Sequence, residues 1–189
     1  MNNVLILIDL QNDYFPGGTM ELAGADAAVA EAARLLAAFR ERARPVIHIQ
    51  HIARRAGATF FVPGTTGAEI HAAVRPAAGE RVITKHFPSA FRETTLLEDL
   101  RALGASRLVF AGMMTHMCVD TTVRAAADLG FQCALAQDAC ATRELKFAGR
   151  AVDAGSVQLA YLAALDGSCA AVRSAAELCA ELAGTTAPA

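Results

Sequence analysis

Cys118 is the residue whose position first suggests covalent chemistry. Residues 108–120 begin with an apolar run that ends in Ala-Gly, which is typical of a buried strand reaching a turn, and residues 117–129 then carry apolar side chains at helical spacing. Cys118 would lie in the first turn of this helix, where unpaired N–H groups and the helix dipole favour a thiolate. The pattern fits a nucleophile, but it also fits a small core residue.

Asp9 and Lys85 are candidates to assist such a nucleophile. Each comes at the end of a strand-like run, residues 3–8 for Asp9 and residues 81–85 for Lys85. Ligands of open α/β sheets bind outside the carboxyl ends of the strands, so both side chains would face the site. A carboxylate there could act as a base, and an ammonium would favour developing negative charge. Taken singly, Asp9 also fits a helix cap or turn, and Lys85 a surface lysine.

The elements that must position these residues alternate between strand-like and helix-like segments. Continuous apolar runs, instead of alternating ones, predict strands that are buried on both faces. Helical spacing predicts crossover helices between them, including residues 24–42, 92–103 and 144–165. We therefore expect an α/β protein with a three-layer α/β/α, doubly wound, Rossmann-like fold around a mostly parallel six-stranded sheet. The strands are expected at residues 3–8, 45–50, 81–85, 108–112, 131–136 and 169–172.

Length, charge and cysteine pattern limit the classes of function. The 189 residues fit one domain, expected at 1–183, with a frayed tail at 184–189. A net charge of −2 without charged runs favours a small-molecule partner over nucleic acid or membrane. Five cysteines without CxxC spacing argue against a disulfide framework or a zinc site. No apolar run is long enough to span a bilayer, and we expect a cytoplasmic protein.

The segment between residues 51 and 80 lacks regular periodicity and is rich in Gly and Pro. A loop of this length in a compact domain is usually functional, so Phe60 and Phe61 are predicted to line a substrate pocket. Taken singly, each of these rings also fits a core position. His48, His51 and His71 lack the spacing of metal ligands, and we predict neither a metal nor another cofactor.

Taken together, these segments resemble the isochorismatase-like cysteine hydrolases, the superfamily of nicotinamidase and N-carbamoylsarcosine amidase. The resemblance rests on LIDLQND at residues 7–13, the Lys85 segment, GMMTHMCV at 112–119 and QDAC at 137–140. It implies the isochorismatase-like hydrolase fold.

The resemblance also implies a role for each member of the predicted site. Asp9 would be the general base, Lys85 its electrostatic partner and Cys118 the nucleophile. The peptide bond between Met113 and Met114 would be cis, and the N–H groups of Met114 and Cys118 would form an oxyanion hole.

The implied reaction is hydrolysis of a C–N bond in a small amide or ureido compound, through a Cys118 thioester and with release of ammonia. Gln50-His51 stand about where nicotinamidases carry a metal-binding Asp-x-His pair, so nicotinamidase activity is not expected. The isochorismatases proper cleave a vinyl ether and lack the cysteine, and hydrolysis of such an ether or an ester is the alternative. A catalytically silent partner domain and a redox role for Cys118 are weaker alternatives.

The resemblance further implies a homodimer or homotetramer with the pocket close to an interface. The expected substrate contacts are residues of the turn after Asp9, of the long loop and of the segments around Lys85 and Cys118: Gln11, Phe15, Phe60, Phe61, Phe91 and His116.

Overall fold

Parallel strands form the centre of the protein, whose structure is a computed structural model that describes residues 2–184. Six of the eight strands in this part of the chain form one sheet in the order β3-β2-β1-β4-β5-β8, and all neighbours in it are parallel. The remaining two, β6 and β7, pair with each other. The strands are β1 Asn3–Ile8, β2 Val46–His51, β3 Arg81–Lys85, β4 Arg107–Met113, β5 Gln132–Ala141, β6 Leu145–Phe147, β7 Arg150–Val152 and β8 Ala171–Arg173.

Helices cover both faces of this sheet. On one face α1 and α5 pack against the sheet in one apolar core, and on the other face α2, α3 and α4 pack in a second. All residues of β1 are buried, as expected for a central strand covered on both sides. The predicted three-layer fold is therefore confirmed. The helices are α1 Ala25–Glu41, α2 Leu96–Ala102, α3 Asp120–Asp128, α4 Ala154–Leu165 and α5 Ala175–Gly184.

The strand register brings the carboxyl ends of four strands to one level. Ile8 of β1 is opposite Gly112 of β4, and His51 of β2 is opposite Lys85 of β3. A Cβ on Gly112 would lie 2.1 Å from the Ile8 carbonyl oxygen, so β1 and β4 can approach this closely only with glycine there. The residues that follow these strands therefore meet at one edge of the sheet.

The prediction of one helix over residues 144–165 is wrong for the first part of that segment. Residues 145–152 form the β6–β7 hairpin, and α4 begins only at Ala154. Ala148 and Gly149 have φ of 49° and 76°, which are the positive values that a two-residue hairpin turn requires. The Asp153 carboxylate then accepts a hydrogen bond from the Ser156 N–H, 2.9 Å away, and starts the helix.

Two other predicted boundaries also shift. Residues 115–119 form a single π-helical turn before α3, and α2 begins at Leu96 instead of residue 92. Gly184 is the last residue of α5, and the rest of the predicted frayed tail, 185–189, lies outside the described residues. Within residues 2–184 none of the helices has the length and apolar character needed to cross a bilayer.

Candidate active site

The Lys85 ammonium lies at the centre of a buried polar cluster. Its Nζ is 2.7 Å from Asp9 Oδ2, 3.1 Å from Cys118 Sγ and 2.9 Å from His51 Nδ1, and the Phe87 carbonyl oxygen is 3.2 Å away. Asp9 and Lys85 are fully buried and Cys118 is 5% exposed. The structure thus brings together the three residues for which the sequence predicts catalytic roles.

Each of these side chains is placed by the end of a strand. Asp9 follows β1 directly and has a φ of 51°, a left-handed conformation that non-glycine residues adopt at an energetic cost. Lys85 is the last residue of β3. Cys118 lies in the π-helical turn that follows β4, where the Met114 carbonyl accepts hydrogen bonds from the N–H groups of Met117 and Val119. The peptide bond between Met113 and Met114 is cis, which is the geometry that the resemblance implied.

The electrostatics of the cluster keep Lys85 charged. Burial alone would lower the pKa of Lys85, but the carboxylate of Asp9 and the sulfur of Cys118 raise that pKa above its usual value. An ammonium is therefore the resting form of Lys85.

The resting form of Cys118 differs from the expectation that the start of a helix stabilises a thiolate. Burial first, and then the neighbouring Asp9 carboxylate, raise the pKa of the Cys118 thiol, and the opposing effect of Lys85 does not compensate. The expectation was wrong because it considered the local helix and not the desolvation that the tertiary structure imposes. The raised pKa favours a neutral Cys118 thiol in the resting site.

The Asp9 carboxylate lies beside both Lys85 and Cys118. Its Oδ2 pairs with Lys85, whereas its Oδ1 is fully buried with no hydrogen-bond partner among the described residues. A buried carboxylate oxygen without a partner is costly in free energy, so it is expected where a proton or substrate N–H is to be accepted. The same carboxylate interacts with the Cys118 thiol and raises the pKa of that thiol.

His51 belongs to the cluster, although the sequence indicated it only as a candidate metal ligand. Its Nδ1 contacts Lys85 Nζ and lies 3.9 Å from Asp9 Oδ2. Burial first, and then the Lys85 ammonium, lower the pKa of His51 to about 4, so the imidazole is neutral at physiological pH. The signal that could have found it is the strand register, because His51 and Lys85 end neighbouring parallel strands at the same level.

Asp9, His51 and Cys118 are also the residues of this part of the chain whose donor atoms could surround a metal ion. Their nearest oxygen, nitrogen and sulfur atoms lie within 4.8 Å of one another. The Lys85 ammonium, however, lies within about hydrogen-bonding distance of all three atoms and fills the space between them. A metal would have to displace this charged group, so the site does not fit a metal while Lys85 stays protonated.

A cavity of about 420 Å³ lies beside His51. The predicted pocket residues Phe60 and Phe61 both line it, and Phe61 is also packed in the core. Cationic side chains lie in the same wall. The full lining is His51, Ala53, Arg54, Arg55, Ala58, Thr59, Phe60, Phe61, His86 and Phe87.

Gln11 and Phe15, two of the predicted substrate contacts, are held by other parts of the protein. The Gln11 amide donates to the carbonyls of His51 and Ala68, both at 2.8 Å, and its oxygen accepts from the His51 N–H at 2.7 Å. This amide therefore holds the end of β2. Phe15 stacks on His71, with ring centroids 4.1 Å apart, and lines a different cavity.

Phe91 and His116 lie close in sequence to the site, and their side chains pack against other residues of the protein. Phe91 packs against the core on the α2–α4 face. His116 is 8% exposed, its Nδ1 is hydrogen-bonded to the Thr142 hydroxyl, and its ring meets Tyr161 edge to face. His116 shares the turn that carries Cys118, so it supports the turn directly.

Known proteins share both the sequence and the fold of this chain. The family model of the isochorismatase domain matches residues 3–175, and the chain belongs to the isochorismatase family of hydrolases. This confirms the resemblance.

The isochorismatase family protein YddQ of Bacillus subtilis is 46% identical over 92% of this chain and 96% of its own length. An isochorismatase hydrolase structure from Oleispira antarctica superposes with a TM-score of 0.92 at 46% identity and covers 95% of this chain and 96% of that one.

Relatives with a named activity include amidohydrolases. Maleamate amidohydrolase of Pseudomonas putida is 34% identical over 68% of this chain and 67% of its own length. Ureidoacrylate amidohydrolase RutB of Variovorax paradoxus is 28% identical over 82% of this chain and 73% of its own length.

Proposed function

We propose that the protein is a cysteine amidohydrolase that cleaves a C–N bond of a small amide or ureido compound. The observation that supports this most directly is the placement of Lys85 Nζ between Asp9 Oδ2 and Cys118 Sγ, with Asp9 Oδ1 left without a partner. A nucleophile, a base with free acceptor capacity and a fixed cation are the groups that acyl transfer through sulfur requires.

In the first half of the proposed reaction, Asp9 removes the proton of Cys118 as the sulfur attacks the carbonyl carbon. The Lys85 ammonium stabilises the negative charge that moves onto sulfur, and the N–H groups of Met114 and Cys118 bind the oxyanion of the tetrahedral intermediate. The protonated Asp9 then donates its proton to the leaving nitrogen. The C–N bond breaks, ammonia leaves, and an acyl thioester remains on Cys118.

In the second half, water hydrolyses the thioester. Asp9 is again a carboxylate and takes a proton from the attacking water, and the same N–H groups bind the second oxyanion. Collapse of that intermediate breaks the C–S bond and returns the proton to the sulfur. The neutral Cys118 thiol of the resting site is thereby regenerated.

The cavity beside His51 indicates the form of the substrate. Three phenyl rings, of Phe60, Phe61 and Phe87, offer flat apolar contacts, while Arg54 and Arg55 supply positive charge in the same wall. We therefore propose a small planar acyl group that carries an anionic substituent. The amidohydrolase relatives, whose names specify maleamate and ureidoacrylate, support substrates of this kind.

Ammonia release tests the proposal. Wild-type protein and Cys118→Ala are assayed with small carboxamides and ureido acids, including maleamate and ureidoacrylate, each with and without a chelator. Cys179→Ala is the matched control because Cys179 is a partly buried cysteine of α5, on the other face of the sheet.

We expect release by the wild type and the control, loss in Cys118→Ala, and no effect of the chelator. Undiminished release by Cys118→Ala would overturn the mechanism. Turnover of isochorismate without ammonia from any amide would instead establish the vinyl-ether hydrolase.

We also propose that the chain forms a homo-oligomer. Large apolar side chains are exposed on the β6–β7 hairpin and on α4, where Phe147 is 87% and Leu159 71% exposed. Such side chains are usually covered in a functional assembly. Light scattering after size-exclusion chromatography should give a dimer or tetramer, and Leu159→Lys should shift it towards the monomer. A wild type that stays monomeric would contradict this.

A further inference from the structure

His51 has no role in the proposed reaction, yet it contacts the residue at the centre of the site. The side chain is 19% exposed and its Nδ1 lies 2.9 Å from Lys85 Nζ. Its backbone is held on both sides by the Gln11 amide, through the His51 N–H and carbonyl. Because the backbone is held in this way and the ring contacts a buried ammonium, His51 is expected to affect where that ammonium lies.

The hydrogen bond defines the form of the imidazole. An ammonium can only donate, so His51 Nδ1 must be an acceptor, and the single ring proton of the neutral form is on Nε2. The low pKa of His51, about 4, agrees with a neutral ring beside a cation. The ring therefore adds no charge to the site and acts only through direction and contact.

The ammonium has three protons and four nearby acceptors. Asp9 Oδ2, His51 Nδ1 and Cys118 Sγ lie at 2.7, 2.9 and 3.1 Å, and the Phe87 carbonyl oxygen lies at 3.2 Å. Each of the three nearest acceptors takes one ammonium proton, which leaves none for the more distant Phe87 carbonyl. Without the imidazole, the freed N–H would turn towards the Phe87 carbonyl and move the charge relative to the sulfur.

We propose that His51 is a positioning residue, whose neutral imidazole accepts one Lys85 proton and thereby holds the ammonium between Asp9 and Cys118. Because the ring is neutral, it completes the contacts of the ammonium without adding a charge beside the Asp9 carboxylate. The kinetic consequence rests on the proposed function, but the structural and thiol-reactivity consequences do not.

The ring tautomer is the first test, and it needs no substrate. Histidine ¹⁵N NMR of the wild type at neutral pH, with the His51 signals assigned by their absence in His51→Asn, should show a neutral ring protonated on Nε2. A ring protonated on Nδ1, or a charged ring, would overturn the proposal.

The reactivity of the thiol is the second test. Alkylation of Cys118 by iodoacetamide at mildly alkaline pH, followed by peptide mapping, should be slowed about tenfold in His51→Leu, because the loss of a hydrogen bond to a charged group changes the balance by that order. His51→Asn keeps an acceptor at about the position of Nδ1 and should stay within about threefold of wild type. His71→Asn, at a histidine outside the site, is the matched control.

Equal alkylation rates in wild type and folded His51→Leu would overturn the proposal. If His51→Leu does not fold, the ring tautomer of the wild type still decides the proposal.

Kinetics with a turned-over amide complete the test. His51→Leu should lower kcat about tenfold with KM little changed, and His51→Asn should restore most of it. A rise in KM alone would mean that His51 affects only substrate binding in the cavity, and this would contradict a positioning role. If the wild type releases no ammonia from any amide, the proposed function fails, while the tautomer and the alkylation rates still test His51.

Discussion

Two clusters, each made of a carboxylate, a histidine and a cation, lie near opposite ends of neighbouring strands. At the carboxyl ends are Asp9, His51 and Lys85, and at the amino end of β3 Glu80 contacts His48 and Arg40. The Glu80 carboxylate accepts from Arg40 Nε and Nη2, from His48 Nε2 and from the Ala77 N–H, at 2.7 to 2.8 Å.

The carboxylates of Glu80 and Asp9 differ in whether an oxygen lacks a hydrogen-bond partner. Both oxygens of the Glu80 carboxylate accept hydrogen bonds from neighbouring groups. These bonds, of which the one from Arg40 has the largest effect, lower the pKa of Glu80 to about 2. In contrast, Asp9 Oδ1 is buried without a partner among the described residues, next to a thiol. A carboxylate whose hydrogen bonds are satisfied stabilises a fold, whereas a buried carboxylate oxygen without a partner needs another explanation, which the proposed reaction supplies. The comparison predicts that equivalent substitutions in the two clusters have opposite kinds of effect.

The largest expected effect is on activity. Asp9→Asn removes the base but keeps the size of the side chain, and kcat/KM for ammonia release should fall about 10³-fold. Glu80→Gln makes the same chemical change in the other cluster and should leave kcat/KM within about threefold of wild type. Steady-state kinetics of both folded variants would check this, and a similar loss in both would break the distinction between the clusters.

The second expected effect is on stability, and it falls on the other cluster. Glu80→Gln removes a charge-assisted pairing with Arg40 and should lower the free energy of unfolding by about 2 kcal/mol. The exposed Glu98 of α2 offers a matched control, since Glu98→Gln should change it by less than about 0.5 kcal/mol. Urea unfolding at neutral pH measures both, and an unchanged midpoint for Glu80→Gln would show that the cluster contributes nothing.

These two effects show what could be predicted from the sequence. Asp9, Lys85 and Cys118 were found because the ends of parallel strands converge, and because the surrounding motifs resemble a known family. The role of Glu80 could not be found, because its partners come from α1 and β2 and depend on how those elements pack. His51 was missed as a partner of Lys85 for the same reason, since only the register of β2 and β3 brings them together.

The errors in the sequence-based predictions have a common physical origin. The protonation of Cys118 was wrong because desolvation is a property of the folded interior and outweighs the local helix and Lys85. The β6–β7 hairpin was predicted as helix because short apolar runs fit both periods and the turn depends on two positive φ angles.

A smaller effect on the free energy of unfolding is expected at acidic pH, and it tests the charge of Glu80. The pKa of Glu80 is about 2 in the fold against an ordinary value of 4.5, so the folded state binds fewer protons than the unfolded state between these pH values. The stabilisation is present above about pH 4.5 and is lost as the pH falls through about 2. Urea unfolding at several acidic pH values should therefore show wild type and Glu80→Gln converging, and a constant difference would contradict the assignment to Glu80.

The smallest effect is expected in the β6–β7 hairpin, which contains neither kind of cluster. Ala148 has a φ of 49°, a conformation that asparagine tolerates better than alanine and that β-branched residues resist. Ala148→Asn should raise the free energy of unfolding by about 0.5 kcal/mol, and Ala148→Val should lower it by about 1 kcal/mol. Because no buried charge is involved, both differences should be the same at neutral and acidic pH and should leave kcat/KM unchanged. Urea unfolding at one protein concentration would check this, and a difference that varied with pH would mean that the hairpin is electrostatically linked to one of the clusters.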